Sequence, residues 1–274
     1  MTNAIERDVH VVRYFSSYIS VAKGKVIHVS DPTLTSCPLA SRLYKGFKDI
    51  DGADKEAVKR EITKAIESKI RDYGFFTARR RFSHCKTIIR YGASEMLRAA
   101  FKKKTIDAAV VVCDGAGTVV TDSAEVVQGI GARMNSLLLT SPIKQTIARL
   151  KELNCHVVFA NALIDQVKGV ERAIEAGYKK IAVTVSGHDS GILARIRQLE
   201  FSGNVSVTIL VVCTTGVSGA QIDEIRRYAD LVWSCASKDI RGKIGAIALL
   251  QISKQIPVFV LTQKGMVFAA KGEV

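Results

Sequence analysis

The sequence predicts an α/β fold: a mainly parallel, doubly wound (Rossmann-like) sheet with a small N-terminal β-meander plus helix subdomain. Two observations predict it. From Ile106 onward, short and continuously apolar β-branched runs alternate with helical stretches, the pattern of βαβ units whose sheet is buried on both faces. Before that point, short β-rich runs fill residues 9 to 30 and a single helical period follows from Asp54. The expected division is 1–104, meander and helices packed on the main domain, and 105–274, the parallel-sheet domain.

In chain order, the runs VHVVRYF, YISVA and KVIHV flank the turn Lys23-Gly24-Lys25 and read as an antiparallel meander that Asp31-Pro32 stops. The segment DPTLTSCPLA is a loop, because Pro32 and Pro38 both disfavour helix just before them. Ala57, Val58, Ile62, Ala65, Ile66 and Ile70 repeat every 3.6 residues, which predicts an amphipathic helix from Asp54 to about Tyr73. A second helix is expected over Ser94 to Lys104. Strands are expected at AAVVV (108–112), HVVFA (156–160), KIAVTV (180–185), SVTILVV (206–212), LVWS (231–234) and PVFVL (257–261). Between them, DQVKGVERAIEAG reads as a helix with Asp165 as N-cap and Gly177 at its C-cap. QIDEIRRYAD and KDIRGKIGAIALLQISKQ supply two more helices. Right-handed crossovers would align the strand carboxyl ends along one edge; a barrel is the alternative, although the six strands marked fall short of its eight.

Composition bounds the function. In 274 residues, 47% apolar and 24% charged, no apolar run reaches the roughly 18 residues of a membrane span. The first fifteen residues lack a secretory pattern, so a cytoplasmic location is expected, and with it free thiols or metal ligands rather than a disulfide framework for the six cysteines. The formal charge of +14 is densest over Arg79, Arg80, Arg81, Lys86, Arg90, Arg98, Lys102, Lys103 and Lys104, opposed only by Glu95. No RNP aromatic pattern, zinc finger or helix-turn-helix accompanies this cluster, so a solvated basic face outweighs nucleic acid as its explanation.

One event recurs in VVVCDGAGTVV, LVVCTTGVSGA and LVWSCASKDI: an apolar strand, a cysteine at its carboxyl end, then small and hydroxylated residues. Open α/β sheets bind ligands outside those ends, so Cys113, Cys213 and Cys235 are expected to converge, as nucleophiles or as metal ligands. Packing as small hydrophobes is the plain alternative for each thiol singly. In the glycine-rich stretch after Cys113, Gly115, Gly117, Gly129 and Gly131 permit close backbone approach to a ligand, with Thr118 among them. Asp114 is a candidate acid or base there, Asp122 another, and Arg133 a clamp for carboxylate or phosphate. Thr214 and Thr215 precede a helix N-terminus where an anion is favoured, although capping by Ser218 explains the segment equally well. His188, in SGHDSG, lies at the same expected edge and is a candidate general base.

The stretches SCPLA (36–40), DAAVVVCDGAGTVVTDSAEVVQGIGARM (107–134), IDQVKGVERAIEAGYKKIAVTV (164–185), TTGVS (214–218) and YADLVWSCASKDIR (228–241) together resemble the methanogenesis marker protein 8 family. The resemblance runs through most of the chain from the CPL loop onward. It implies a methanogenic setting: assembly of one of that pathway's coenzymes, or maturation of methyl-coenzyme M reductase. Cys37, Cys113 and Cys235 fall in the motifs that carry it. Two departures matter, since the family often has a cysteine near Phe76 and a histidine in place of Cys213. The first argues against a fixed four-cysteine cluster there, and the second suits a metal ligand.

The leading expectation is an enzyme or enzyme subunit holding an iron–sulfur cluster or another metal on Cys37, Cys113, Cys235 and Cys213. The alternatives are a metal-free cysteine nucleophile assisted by Asp114 or His188, and a non-catalytic assembly factor docking an acidic partner or nucleic acid through residues 79–104. A small-molecule or protein partner is expected, and homo-oligomerisation stays open.

Overall fold

The computed structural model describes residues 8–34, 37, 40, 45–47, 54–83, 87–134, 136–189 and 191–270. Strands β1 (His10–Tyr14), β2 (Ser17–Ala22) and β3 (Lys25–Val29) form the meander, with β1 and β3 each antiparallel to β2. Side chains alternate across a strand, so Val12 and Tyr14, then Ile19 and Val21, turn to the same buried face. Helix α1 (Lys55–Tyr73) covers that face with Val58, Ile62, Ala65 and Ile66. Asp54 caps it by accepting from the Ala57 amide, and Gly74 ends it in a left-handed conformation at φ 70°. Helix α2 (Ala93–Lys102) follows.

The remaining elements are β4 (Ala108–Cys113), β5 (Gly117–Thr121), α3 (Ala124–Gly131), β6 (Ser136–Thr140), α4 (Lys144–Glu152) and β7 (His156–Val157). Then come α5 (Gln166–Glu175), β8 (Lys180–Ser186), α6 (Ile192–Ser202), β9 (Ser206–Val212), α7 (Gly219–Tyr228) and β10 (Leu231–Trp233). The chain ends with a π-helical turn at Ile240–Ile244, a 3-10 turn at Gly245–Ile247, β11 (Leu250–Ile252), β12 (Val258–Val260) and α8 (Gln263–Ala270).

The described residues form two sheets, a four-stranded one ordered β3-β2-β1-β6 and an eight-stranded one ordered β11-β12-β10-β9-β8-β4-β5-β7. This is a mixed α/β architecture. Only β4, β8, β9 and β10 are parallel neighbours, and β5, β7, β11 and β12 extend them antiparallel. The expectation of a mainly parallel sheet is therefore corrected. Two of the six expected strands, seen as His156–Val157 and Val258–Val260, pair antiparallel, and β5, β6 and β11 arise where no strand is expected. The stretch KDIRGKIGAIALLQISKQ makes two short helical turns and then β11.

Period-two alternation assigns each strand residue a side of the larger sheet. Val110, Val183, Ile209 and Val232 pack under α5, α6 and α7, while Val111, Ala182, Leu210 and Leu231 pack with α2, α3 and α8. Both faces are buried, which is why these strands read as unbroken apolar runs. Strand β6 leaves this half of the chain to pair antiparallel with β1.

One buried ion pair joins the two halves. Arg80 and Asp114 are 1% and 0% exposed, and the Arg80 Nε lies 2.8 Å from a carboxylate oxygen of Asp114. The guanidinium also donates to the carbonyls of Arg81, Gly129 and Ile130, and stacks 3.7 Å from the centroid of the Phe75 ring. The other Asp114 oxygen accepts from the Phe76 amide at 2.6 Å. Arg80 thus belongs to the core and not to the basic face, where Arg79, Arg81, Lys102, Lys103 and Lys104 remain exposed. Lys86 and Cys85 lie outside the described residues.

Candidate functional site

The carboxyl ends of β8, β9 and β10 open onto a cavity of about 230 Å³. Its far wall comes from the smaller sheet and α1, through Tyr14, Lys69, Met134 and Ser136. A second cavity of about 100 Å³ shares Tyr14, Met134, Ser136, Cys213, Cys235 and Ile256 with the first, and adds Arg13, Cys37 and Thr215. A cavity thus lies at the strand carboxyl edge, where open α/β sheets commonly bind ligands.

Cys213 and Cys235 stand between the two cavities. Cys213 directly follows β9 and Cys235 lies two residues beyond β10; each adopts a left-handed backbone, φ 57° and 47°, which turns the chain away from the sheet and leaves the thiol at its edge. Burial pushes the Cys213 thiol up to about 12, and the neighbouring Cys235 adds to this against the opposing Ser136 hydroxyl. Burial also raises Cys235, while backbone hydrogen bonds from Thr214 and Cys213 pull the other way. Both groups therefore rest as neutral thiols. Cys37 lines the smaller cavity with them.

Cys113 does not join. It is fully buried among Val111, Val119, Val127 and Ile130, donates to the Asp114 carbonyl at 3.3 Å, and burial raises its thiol well above the ordinary value. Its strand runs into a hairpin turn in which Cys113 pairs with Gly117, and of β4 it is Val111 and Val112, not Cys113, that line the larger cavity. The convergence of three strand-end thiols is thereby corrected to two, joined by Cys37. Among the described residues no group of three or more His, Cys, Asp or Glu is placed to hold a metal ion.

Several other candidates have structural explanations. Asp114 is spent on Arg80 and Phe76 and lines neither cavity. Gly115 and Gly117 take left-handed φ values of 75° and 68° in the hairpin turn, where a Cβ would strike Ile143 or the Ala162 carbonyl. A Cβ on Gly129 would sit 1.7 Å from the Phe82 carbonyl oxygen, and one on Gly131 2.7 Å from Ser94, so these glycines let α3 pack closely on its neighbours. Thr118 is buried, donating to the Leu163 carbonyl and accepting from the Asp165 amide. Thr214 donates to the Trp233 carbonyl at 2.6 Å, and the Thr215 hydroxyl accepts from the Ala236 amide, so together they fasten the β9 and β10 loops. Ser218 and Gln221 form a capping box at the start of α7, the plain reading of that segment. Asp122, outside the cavity linings, accepts from the Tyr178 hydroxyl at 3.3 Å.

His188 lines neither cavity but touches one wall. Its Nε2 lies 2.6 Å from Arg13 and 2.9 Å from the Thr215 carbonyl, which Arg13 also reaches at 2.7 Å. Burial, then Arg13, lowers the His188 pKa, consistent with a neutral ring.

Arg133 does line the larger cavity, with its guanidinium 5.0 Å from the Tyr73 ring and its buried Nε without a hydrogen-bond partner among the described residues. Beside it is a residue that the sequence analysis passed over. Lys69 lies on the buried face of α1, is 3% exposed, and places its Nζ 4.9 Å from the centroid of Tyr14. Burial, then the charge of Arg133, lowers its pKa from 10.5 to about 7. The signal was present: at i+3 from Ile66 and i+7 from Ile62, Lys69 falls on the apolar stripe of its own helix. Asp189 lines the same cavity, and burial raises its carboxyl pKa. The site therefore gathers two thiols, an amine, the arginines Arg90 and Arg133 and the acids Glu95 and Asp189 within mostly apolar walls.

A family model described as "Uncharacterized protein conserved in archaea (DUF2099)" matches residues 10–271. An uncharacterized protein of Methanocaldococcus jannaschii is 38% identical over 248 residues, which cover 90% of this chain and 84% of the relative. No solved structure matches.

Proposed function

Because the chain belongs to this conserved archaeal family, we propose that it serves methanogenic metabolism by binding an anionic small molecule with an apolar body in the larger cavity. The observation that carries this reading is the placement of three cationic residues, Lys69, Arg90 and Arg133, in the lining of a cavity whose exposed surface is mostly apolar and whose acidic residues are Glu95 and Asp189. Such a site suits a ligand whose carboxylate or phosphate meets the cations while its body displaces water from the apolar wall. The resemblance to the methanogenesis marker group, and the methanogen that holds the relative, support coenzyme assembly or maturation of methyl-coenzyme M reductase as the setting.

Trp233 is the chain's single tryptophan and lines the cavity, so its fluorescence reports occupancy. Titration with inorganic phosphate and with aliphatic and aromatic carboxylates should shift that fluorescence, more strongly for the aromatic acids, and Arg133→Gln should weaken the response at least about tenfold. No response to any of them would overturn the reading.

A metal or iron–sulfur reading keeps one observation in its favour, namely Cys37, Cys213 and Cys235 around the smaller cavity. Cys113 does not fit that set, since its thiol faces the core. An absorption spectrum and metal analysis after anaerobic purification test it, and a colourless, metal-free protein after attempted reconstitution would end it. Docking of a protein partner on Arg79, Arg81 and Lys102 to Lys104 would instead show as steep salt dependence of binding.

A further inference from the structure

Among the lysines of α1, Lys69 is set apart by position. Lys55 and Lys64 are exposed, and Lys59 pairs with Asp31 and Glu56. Lys69 alone turns inward, and its side chain reaches the wall of the larger cavity near Arg133, over the Tyr14 ring. An amine held in apolar surroundings beside another cation keeps its lone pair available at neutral pH. Its lowered pKa agrees with that placement. The cavity also holds Asp189, a half-buried carboxyl able to exchange a proton with an oxygen bound there.

We propose that Lys69 is a nucleophilic amine that forms an imine with a small carbonyl-bearing anion, a 2-oxo acid or an aldehyde acid, whose carboxylate is held by Arg133. The inference rests on the ligand-binding reading of the same cavity and names the reacting group within it. The Nζ lone pair forms a bond to the carbonyl carbon as the C=O π pair moves onto oxygen, which takes a proton from Asp189. The resulting carbinolamine breaks its C–O bond. The oxygen leaves as water with a second proton, and the two protons of the neutral amine balance those consumed. One amine and one carbonyl give one imine and one water, so no oxidant or reductant is needed.

The test uses the full chain with glyoxylate, pyruvate, 2-oxoglutarate and phenylpyruvate. Each is added at neutral pH with and without sodium cyanoborohydride, which reduces an iminium to a stable secondary amine. Peptide mass mapping should find one adduct per chain, on Lys69, and Lys69→Met should abolish it while keeping the circular dichroism spectrum. Asp189→Asn should slow adduct formation at least about tenfold at saturating acid, whereas Lys55→Met, at an exposed lysine outside the cavity, should leave the adduct rate unchanged. If the acids shift Trp233 fluorescence but the adduct is absent or spread over exposed lysines such as Lys55 and Lys64, the imine is overturned and the cavity reading stands. If neither fluorescence nor mass changes, both are overturned.

Discussion

Replacing Lys69 with Met should stabilise the protein at low pH and do so much less at high pH. The amine's pKa moves from 10.5 to about 7 on folding, with burial as the main cause. Between those values the unfolded chain binds a proton that the folded chain does not, so stability rises with pH across that window. Below about pH 7 both states carry the charge, and the folded state bears the full burial penalty. At about 1.4 kcal/mol per pH unit the gap corresponds to about 5 kcal/mol. A Met of similar length keeps the stem's packing and removes the charge. The expected advantage of Lys69→Met is therefore up to about 5 kcal/mol at about pH 6, falling to about 2 kcal/mol at about pH 9. Equilibrium urea unfolding of both proteins at the two pH values measures the difference. Titrations elsewhere, including that of Cys213, cancel in the comparison, and Arg133, Glu95 and Asp189 face the cavity in both proteins. An advantage that does not change with pH would refute the desolvated amine, and with it the electrostatic description of the cavity.

Three further outcomes follow from particular contacts. Asp114→Asn strands the Arg80 guanidinium without its counter-charge and should cost about 3–5 kcal/mol in urea unfolding, and a loss below about 1 kcal/mol would contradict the buried ion pair. Gly129→Ala places a methyl against the Phe82 backbone and should cost about 3 kcal/mol, whereas at Gly177 the same change meets open space and costs only the strain of a φ of 90°, about 1 kcal/mol; thermal melts that rank the two variants the other way would exclude the close α3 packing. Cys213 and Cys235, held as neutral thiols, should react with iodoacetamide at about pH 8 at least about 100-fold more slowly in the native protein than in urea, as residue-resolved mass spectrometry would show. Equal rates in the two states would mean that neither thiol is shielded.

Much of the secondary structure was legible because it follows from local rules. The meander, the capped helix α1, helix α5 from its Asp165 N-cap, and the strands β4, β8, β9 and β10 each carry a period or a cap that a short window reveals. The β4–β5 hairpin was missed although Asp114-Gly115 between two apolar runs is a hairpin signal, because the glycines were weighed as ligand contacts. Strands β6, β7 and β11 are short or pair at edges, and their direction depends on partners far away in sequence.

The sequence by itself determined the alternation of apolar runs and helices, the burial of both sheet faces, and the positions of Cys213 and Cys235 at strand ends. Hydrophobic period and chain geometry suffice for those. Only the tertiary structure decided which strand-end cysteine reaches a cavity. Cys113 has the same local pattern as the other two, but β5 and α3 pack around it through Val119, Val127 and Ile130, turning the thiol into core while Val111 and Val112 line the cavity. Folding likewise placed Asp114 on Arg80 instead of at a site, and brought Lys69 from the first half of the chain to face Cys213 and Cys235 from the second. A side chain's reactivity depends on the charges and water around it, and those neighbours are set by long-range contacts that no local pattern encodes.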